Sequence, residues 1–319
     1  MTNEVANDVG NNWYVLLHGL ELSEPAYHIA SGLTLCSLES PLTVFDLAAA
    51  GSVGFREWAT LEPFLNGCHS EVESALDASV TPGYDTLNRA WLMSALLTLR
   101  GFSRHVPLAC NSYSWRLIAG HQERAKGQFH EQFREEGVDA AVYRPKRQLP
   151  PFKGQLLDYH LRLLADRGAR RDTFDADDAE WVKVSFNPFN RLAADSDKFR
   201  FALEAAVDWR YAKDARSAIS RLWSGIEAIF GVSSELVFRI SLYASSLLEP
   251  RGTERKNRFN AIKKLYGQRS KAVHGEPLSA GQLAEAMNDS YQLLRGVLLQ
   301  IVANGRAPTD EDLDEAVFG

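Results

Sequence analysis

Arg269 and His274 stand five positions apart near the end of a cation-rich segment. A guanidinium stays charged and grips anionic oxygens, whereas an imidazole titrates near neutrality. One group can hold a phosphodiester and the other can move a proton, which is the equipment for breaking a phosphate ester bond. The spacing occurs three times, as Arg100 to His105, Arg116 to His121 and Arg269 to His274. The first encloses Gly101 and runs into the strand-like Val106-Pro107-Leu108-Ala109. The second encloses Leu117, Ile118, Ala119 and Gly120. Only the third combines an amphipathic helix, basic surroundings and a terminating glycine, so it is the copy assigned to chemistry.

The element that must carry this pair begins near Glu254 and closes at Gly275. It holds Arg255, Lys256, Arg258, Lys263, Lys264, Arg269 and Lys271, with Glu254 its one acidic residue. Ile262, Leu265, Tyr266 and Val273 recur at helical spacing and give it a core-facing side. Gly275 can take the left-handed conformation that ends a helix, and Pro277 does not continue one. His274 therefore falls in the last turn, where the partial negative charge of the helix end favours a cation. Ser270 lies one turn before His274, placed to orient it or to meet phosphate. Lys263, Lys264 and Lys271 serve as electrostatic guides for an anionic substrate. Glu227 sits among apolar residues on an earlier helix, and its carboxylate suits an ion pair with Arg239 or with Arg269.

Around this element the last third of the chain reads as helices with short connections. Asp197 to Tyr211, Asp214 to Phe230, Ser233 to Pro250, the basic segment, and Ser279 to Ile301 each repeat apolar residues at helical spacing. Five such helices read as an up-and-down bundle. The earlier chain is different. Trp13–Leu17, Leu33–Cys36, Glu71–Leu76, Val106–Ala109 and Tyr113–Ile118 are strand-like. Pro41–Ala50 and Asp85–Leu99 read as helices. Pro145, Pro150 and Pro151 mark a break. Gln155–Ala165 is read as a short helix, Arg167–Asp178 as a charged loop, and Asp310–Glu315 as a solvated acidic tail. The fold class is α+β, with a mixed α/β N-terminal domain over residues 1–120, a connector or helical subdomain over 121–195, a helical bundle over 196–305 and a tail over 306–319.

The order and spacing of three blocks resemble the HEPN superfamily, in its Apea-like branch. The blocks are Trp223-Ser224-Gly225-Ile226-Glu227-Ala228-Ile229-Phe230, then Ser234-Glu235-Leu236-Val237-Phe238-Arg239, then Leu265 to Gly275. Residues 1–195 are loosely similar to what precedes the bundle in longer Apea-like proteins. The resemblance implies a helical bundle that forms a homodimer and a metal-independent endoribonuclease with Arg269 and His274 as the catalytic pair. Such proteins act as toxins and in antiphage defence. It also implies RNA as substrate, a phage-derived trigger or antitoxin-like partner, Ser270, Lys271 and Lys264 against the substrate, and Glu227 and Arg239 in support. In the chain Ser270 stands where the family commonly has Asn. Glu276 stands where the toxin branch has the Tyr that is adenylylated, so that mode of control is not expected. The alternative is a non-catalytic RNA- or nucleotide-binding dimerisation module, with the N-terminal domain carrying the main function.

Composition narrows the other classes. The chain has 319 residues, 45% apolar and 24% charged, with a net charge of −6, which argues against a general nucleic-acid coat protein. No apolar run is long enough to span a membrane. The polar start, Met1 to Asn12, has no secretory signature. Cys36, Cys68 and Cys110 lack metal-ligand spacing and suit a reducing cytoplasm. His121, Glu123, His130 and Glu131 lack it too and are read as surface residues. Trp91, Tyr113 and Trp115 are read as core. No Walker A or Gly-x-Gly-x-x-Gly pattern is present, so neither a cofactor nor a metal is expected.

Overall fold

The computed structural model describes residues 12–46, 62–75, 86–111, 114–120, 155–156, 172–232 and 234–318. The chain is α+β, with an antiparallel sheet in its N-terminal part and a helical C-terminal region. It divides into two compact units that do not follow sequence order. One comprises 1–94, 104–159 and 171–183; the other comprises 95–103, 160–170 and 184–319. The sequence reading draws its line at Ser196 instead, and assigns nothing before that line to the bundle.

In the first unit a six-stranded sheet runs in the order β3-β4-β5-β1-β6-β7. Its strands are β1 (Asn12–His18), β3 (Ala26–Ala30), β4 (Leu33–Ser37), β5 (Cys68–Ala75), β6 (Val106–Asn111) and β7 (Gln155–Leu156). β1 is central, with Leu16 opposite Glu71 on one side and Ala109 on the other. Leu16, Leu65, Cys68, Leu108, Trp115 and Ile118 pack into one core cluster. Two short strands, β2 (Glu21–Leu22) and β8 (Thr173–Phe174), pair in parallel.

Several readings change here. Of Tyr113–Ile118, read as a strand, the described residues 114–118 are not one: Trp115–Leu117 is a 3-10 turn. The cause is Glu71, a buried carboxylate that accepts from Ser114 Oγ at 2.6 Å, Trp115 N at 2.7 Å and Arg116 Nε at 2.9 Å. These donors fold the segment back onto β5 instead of letting it extend. Gln155–Leu156, expected in a helix, pairs with Ala109 and Cys110 as β7; the rest of that expected helix, the Pro145–Pro151 break, Tyr113 and His121 to Glu131 lie outside the described residues. Of Pro41–Ala50, residues 44–46 form a helical turn and 47–50 lie outside the described residues.

α1 (Thr86–Arg100) follows the expected helix. The charged stretch 167–178 is in part structured: β8 precedes α2 (Ala176–Asp195). Asp175 and Asp178 cap the start of α2 reciprocally, Asp178 N to Asp175 Oδ1 at 3.0 Å and Asp175 N to Asp178 Oδ2 at 3.3 Å. An acidic cluster that looks solvated is therefore a helix start, where carboxylates satisfy orphan N–H groups.

In the second unit the five expected helices are α3 (Asp197–Asp208), α4 (Ala215–Phe230), α5 (Leu236–Leu248), α6 (Thr253–Val273) and α7 (Ala280–Asn304). α4 packs against α3, α6 and α7, while α5 packs against α6. Trp209, Trp223 and Tyr291 are buried at the centre. The acidic tail is a further helix, α8 (Asp310–Phe318), packed on α5. Thr309 Oγ1 accepts from Asp312 N at 3.3 Å and Asp312 Oδ2 accepts from Thr309 N at 2.8 Å, so its N-terminus is capped. Leu313 is buried, which a solvated tail does not allow.

Gly225, inside the first of the three blocks, has a packing reason to be glycine. A Cβ there meets Ala205 Cβ at 2.8 Å and Leu294 Cδ2 at 3.1 Å. α3 and α7 approach α4 closely at this point because no side chain stands between them. Gly225→Ala is expected to gain helix propensity but lose more to overpacking, a net destabilisation of about 1–3 kcal/mol. Urea unfolding of the full chain measures it, and an unchanged or higher midpoint contradicts the packing argument.

Candidate functional site

α6 turns its core face towards α4. Ile262, Leu265, Tyr266 and Ala272 are buried on that face. Arg269 lies on it too, one turn beyond Tyr266. Its guanidinium carbon is 5.3 Å from the centre of the Tyr266 ring, and its Nη2 is 2.9 Å from Glu227 Oε1 on α4. The N–H is not aimed along this contact, so the pair is ionic without being a good hydrogen bond. Arg269 Nε is shielded from solvent and has no acceptor among the described residues. The Tyr266 ring meets Trp223 edge to face at 5.1 Å, and Trp223 Nε1 donates to Ser290 Oγ at 2.9 Å. Burial pushes the Tyr266 hydroxyl up and Glu227 adds to this, while Arg269 opposes both. Arg269 is thus joined to the core through Tyr266, Trp223 and α7.

His274 has a different setting. It ends α6, with its N–H donating to Ser270 O at 3.0 Å. Gly275 follows at φ +74°, Glu276 N donates to Lys271 O at 2.9 Å, and Gly275 N donates to Ala272 O at 3.4 Å. These bonds define a Schellman turn. The imidazole is exposed and has no hydrogen bond or ion pair among the described residues. Helix geometry explains the contrast: residues five apart diverge by about 140° around the axis. Arg269 faces Glu227, and His274 faces solvent. Lys264 and Lys271 are exposed on the side of α6 that carries His274, as are Lys256 and Lys263. Ser270 is half-buried and its hydroxyl has no partner among the described residues.

Of the two partners considered for Glu227, Arg269 is the one it meets. Arg239 instead donates from Nη2 to Tyr243 Oη at 2.9 Å, one turn along α5, and stacks over that ring. The structure therefore brings together Arg269, Glu227 and Tyr266, whereas Lys264, Lys271 and His274 share only a side of α6, with Lys264 about three turns before His274. Among the described residues Arg239 keeps to Tyr243 and joins neither group.

The sequence reading misses Arg216. Its Nη1 donates to Ala272 O at 2.8 Å and to Lys271 O at 3.3 Å, and its Nη2 donates to Glu276 O at 2.8 Å. It stands in the first turn of α4, just after the N-cap Asp214, whose carboxylate accepts from Ser217 N at 2.8 Å. A cation at a helix N-terminus is placed against the helix dipole. That mismatch was the available sign that Arg216 serves another element.

The other two Arg-x4-His copies have structural surroundings. His105 is buried with its Nε2 2.7 Å from Ser94 Oγ. Arg116 binds Glu71 and Glu73, and His121 lies outside the described residues. Burial pushes the Cys36 thiol up to about 11 and the Cys68 thiol up to about 12, so neither offers a thiolate at neutral pH. Among the described residues no cluster of three or more His, Cys, Asp or Glu is placed to hold a metal, and no helix is long and apolar enough to cross a membrane. Comparison of the chain with protein-family models, with curated proteins and with solved structures returned no match.

Proposed function

We propose that this protein is a metal-independent endoribonuclease that cuts single-stranded RNA, with His274 moving the proton. The observation that carries this reading is the state of His274. A histidine at a helix C-terminus ordinarily has a bland role, bonding to the last carbonyls. Here Arg216 occupies Lys271 O and Ala272 O, and the imidazole is left exposed on the side of α6 that carries Lys271 and, about three turns back, Lys264. The lysines attract a phosphate chain, and His274 takes the proton from a 2′-OH or gives one to the leaving oxygen. Ser270 adds a free hydroxyl one turn away. The resemblance of Trp223 to Gly275 to HEPN domains supports the same chemistry. It extends the reading to α3–α7 as a HEPN-type bundle, to a homodimer with two such sites, and to defence against phage triggered through the N-terminal domain.

Arg269 has two roles open to it. In the catalytic reading it leaves Glu227, or uses its remaining N–H groups, to stabilise charge on the phosphate. The ion pair itself favours a second reading, a module that binds RNA or nucleotide without cutting it. A guanidinium neutralised by a carboxylate and stacked on a core tyrosine is already employed in holding α4 to α6.

The 319-residue chain with a single-stranded RNA and the same-sequence DNA, both in EDTA, separates these readings. Cleavage of RNA alone, leaving 2′,3′-cyclic phosphate ends, is the expected result, because DNA lacks the attacking hydroxyl. Binding without cleavage moves the assignment to the second reading. Cleavage only on addition of magnesium or manganese removes the proposed mechanism.

A further inference from the structure

The Schellman turn after α6 reverses the chain between Lys271 and Glu276, with His274 at its apex. Its main-chain bonds are uneven: Glu276 N to Lys271 O is 2.9 Å, but Gly275 N to Ala272 O is 3.4 Å. Gly275 and Pro277 are exposed, and a Cβ at Gly275 meets nothing within 4 Å, so among the described residues nothing packs on the turn at Gly275. The Arg216 guanidinium does so from inside. It holds Lys271 O and Ala272 O on the helix side and Glu276 O on the return side, and therefore ties together the two limbs that flank His274. A planar fork of donors can span three acceptors, whereas an ammonium is a single point of attachment. Arg216 is itself fixed, since α4 begins at a capped N-terminus and packs along α6.

We infer that Arg216 is a positioning residue: it locks the turn that carries His274 and so sets where the imidazole stands relative to the lysines of α6. The lock is a property of the fold. Its consequence for cleavage rests on the function proposed above. A loose turn lets the imidazole wander from the attacking hydroxyl, and a small misplacement of a proton-transfer group lowers turnover more than binding.

The test uses the full chain with Arg216→Gln, Arg216→Lys and Arg216→Ala. Amide hydrogen exchange across Ala272 to Glu276 is expected to quicken by roughly tenfold to a hundredfold in Arg216→Gln, the range for losing a charge-assisted bond, with α3 and α7 unchanged. Arg216→Lys is expected to exchange nearly as fast as Arg216→Gln, because charge alone does not bridge the limbs. On RNA, kcat is expected to fall by about tenfold or more with KM little changed. Millimolar guanidinium is expected to restore both protection and turnover in Arg216→Ala. Unchanged exchange in folded Arg216→Gln, or full protection in Arg216→Lys, overturns the lock. Faster exchange with unchanged kcat overturns the positioning role. A wild-type protein that cuts no RNA overturns the proposed function, and the exchange arm then still decides the lock. Global unfolding of Arg216→Gln leaves the decision to Arg216→Lys and to guanidinium rescue.

Discussion

His274→Ala is expected to lower RNA cleavage by about 10²–10⁴-fold, the usual contribution of a positioned acid or base. Its unfolding midpoint should hardly move, because the imidazole is exposed and has no partner among the described residues to lose. Arg269→Ala should lose activity and also some stability, since it removes the contact over Tyr266 and leaves Glu227 without its counter-charge. Glu227→Gln distinguishes why. If Arg269 serves phosphate, releasing it from the carboxylate leaves cleavage intact or raises RNA affinity. If Arg269 serves the α4–α6 contact, Glu227→Gln behaves like Arg269→Ala in both stability and activity. Single-turnover rates on a labelled oligonucleotide, with urea unfolding of each variant, supply the measurements. Turnover like wild type in folded His274→Ala ends the assignment of His274.

The same pair shows what the sequence holds and what it does not. The basic helix is legible because Ile262, Leu265 and Tyr266 repeat at helical spacing and Gly275 stops it, although Val273, read on the same core-facing side, is exposed. Its chemistry was only half legible. Five residues on a helix do not share a face, so proximity in sequence put Arg269 and His274 together while the helix turns them apart. Glu227 among apolar neighbours points to an ion pair, and its choice of Arg269 over Arg239 depends on how α4 and α6 cross. Arg216 left almost no mark, because its acceptors are main-chain carbonyls, which every residue possesses. Two of the misread segments share one cause. Asp175 to Asp178 and Thr309 to Asp312 are polar clusters that look solvated, yet each caps a helix whose buried residues come later. Tyr113–Ile118 has strand composition, but the buried Glu71 is a stronger constraint than local propensity.

Beginning the chain at Ser196, where the sequence places the bundle boundary, is expected to give a protein that does not fold, and not a released, more active bundle. The second unit includes Ala95–Ser103 and the end of α2, both earlier in the chain. Tyr291 Oη on α7 donates to Thr98 O at 2.8 Å, Arg295 Nε donates to Leu99 O, and the buried Arg210 donates to Ser103 O at 2.9 Å. A chain starting at Ser196 lacks the acceptors of all three donors, and with them the contribution of each bond, about 0.5–3 kcal/mol. It also lacks Phe186, Phe189 and Leu192 of α2, which are buried; the Phe189 ring lies 5.8 Å from Phe199 on α3. Each such side chain contributes about 1.5–3 kcal/mol when buried. The losses together match the whole stability of an ordinary domain, about 5–15 kcal/mol. Circular dichroism and size-exclusion chromatography of residues 196–319 provide the check, with residues 172–319 as a partial restoration that regains α2 but not Ala95–Ser103. A cooperative thermal transition in the shorter chain would show that the bundle closes without these segments. It would then be fit for asking whether the N-terminal residues restrain cleavage.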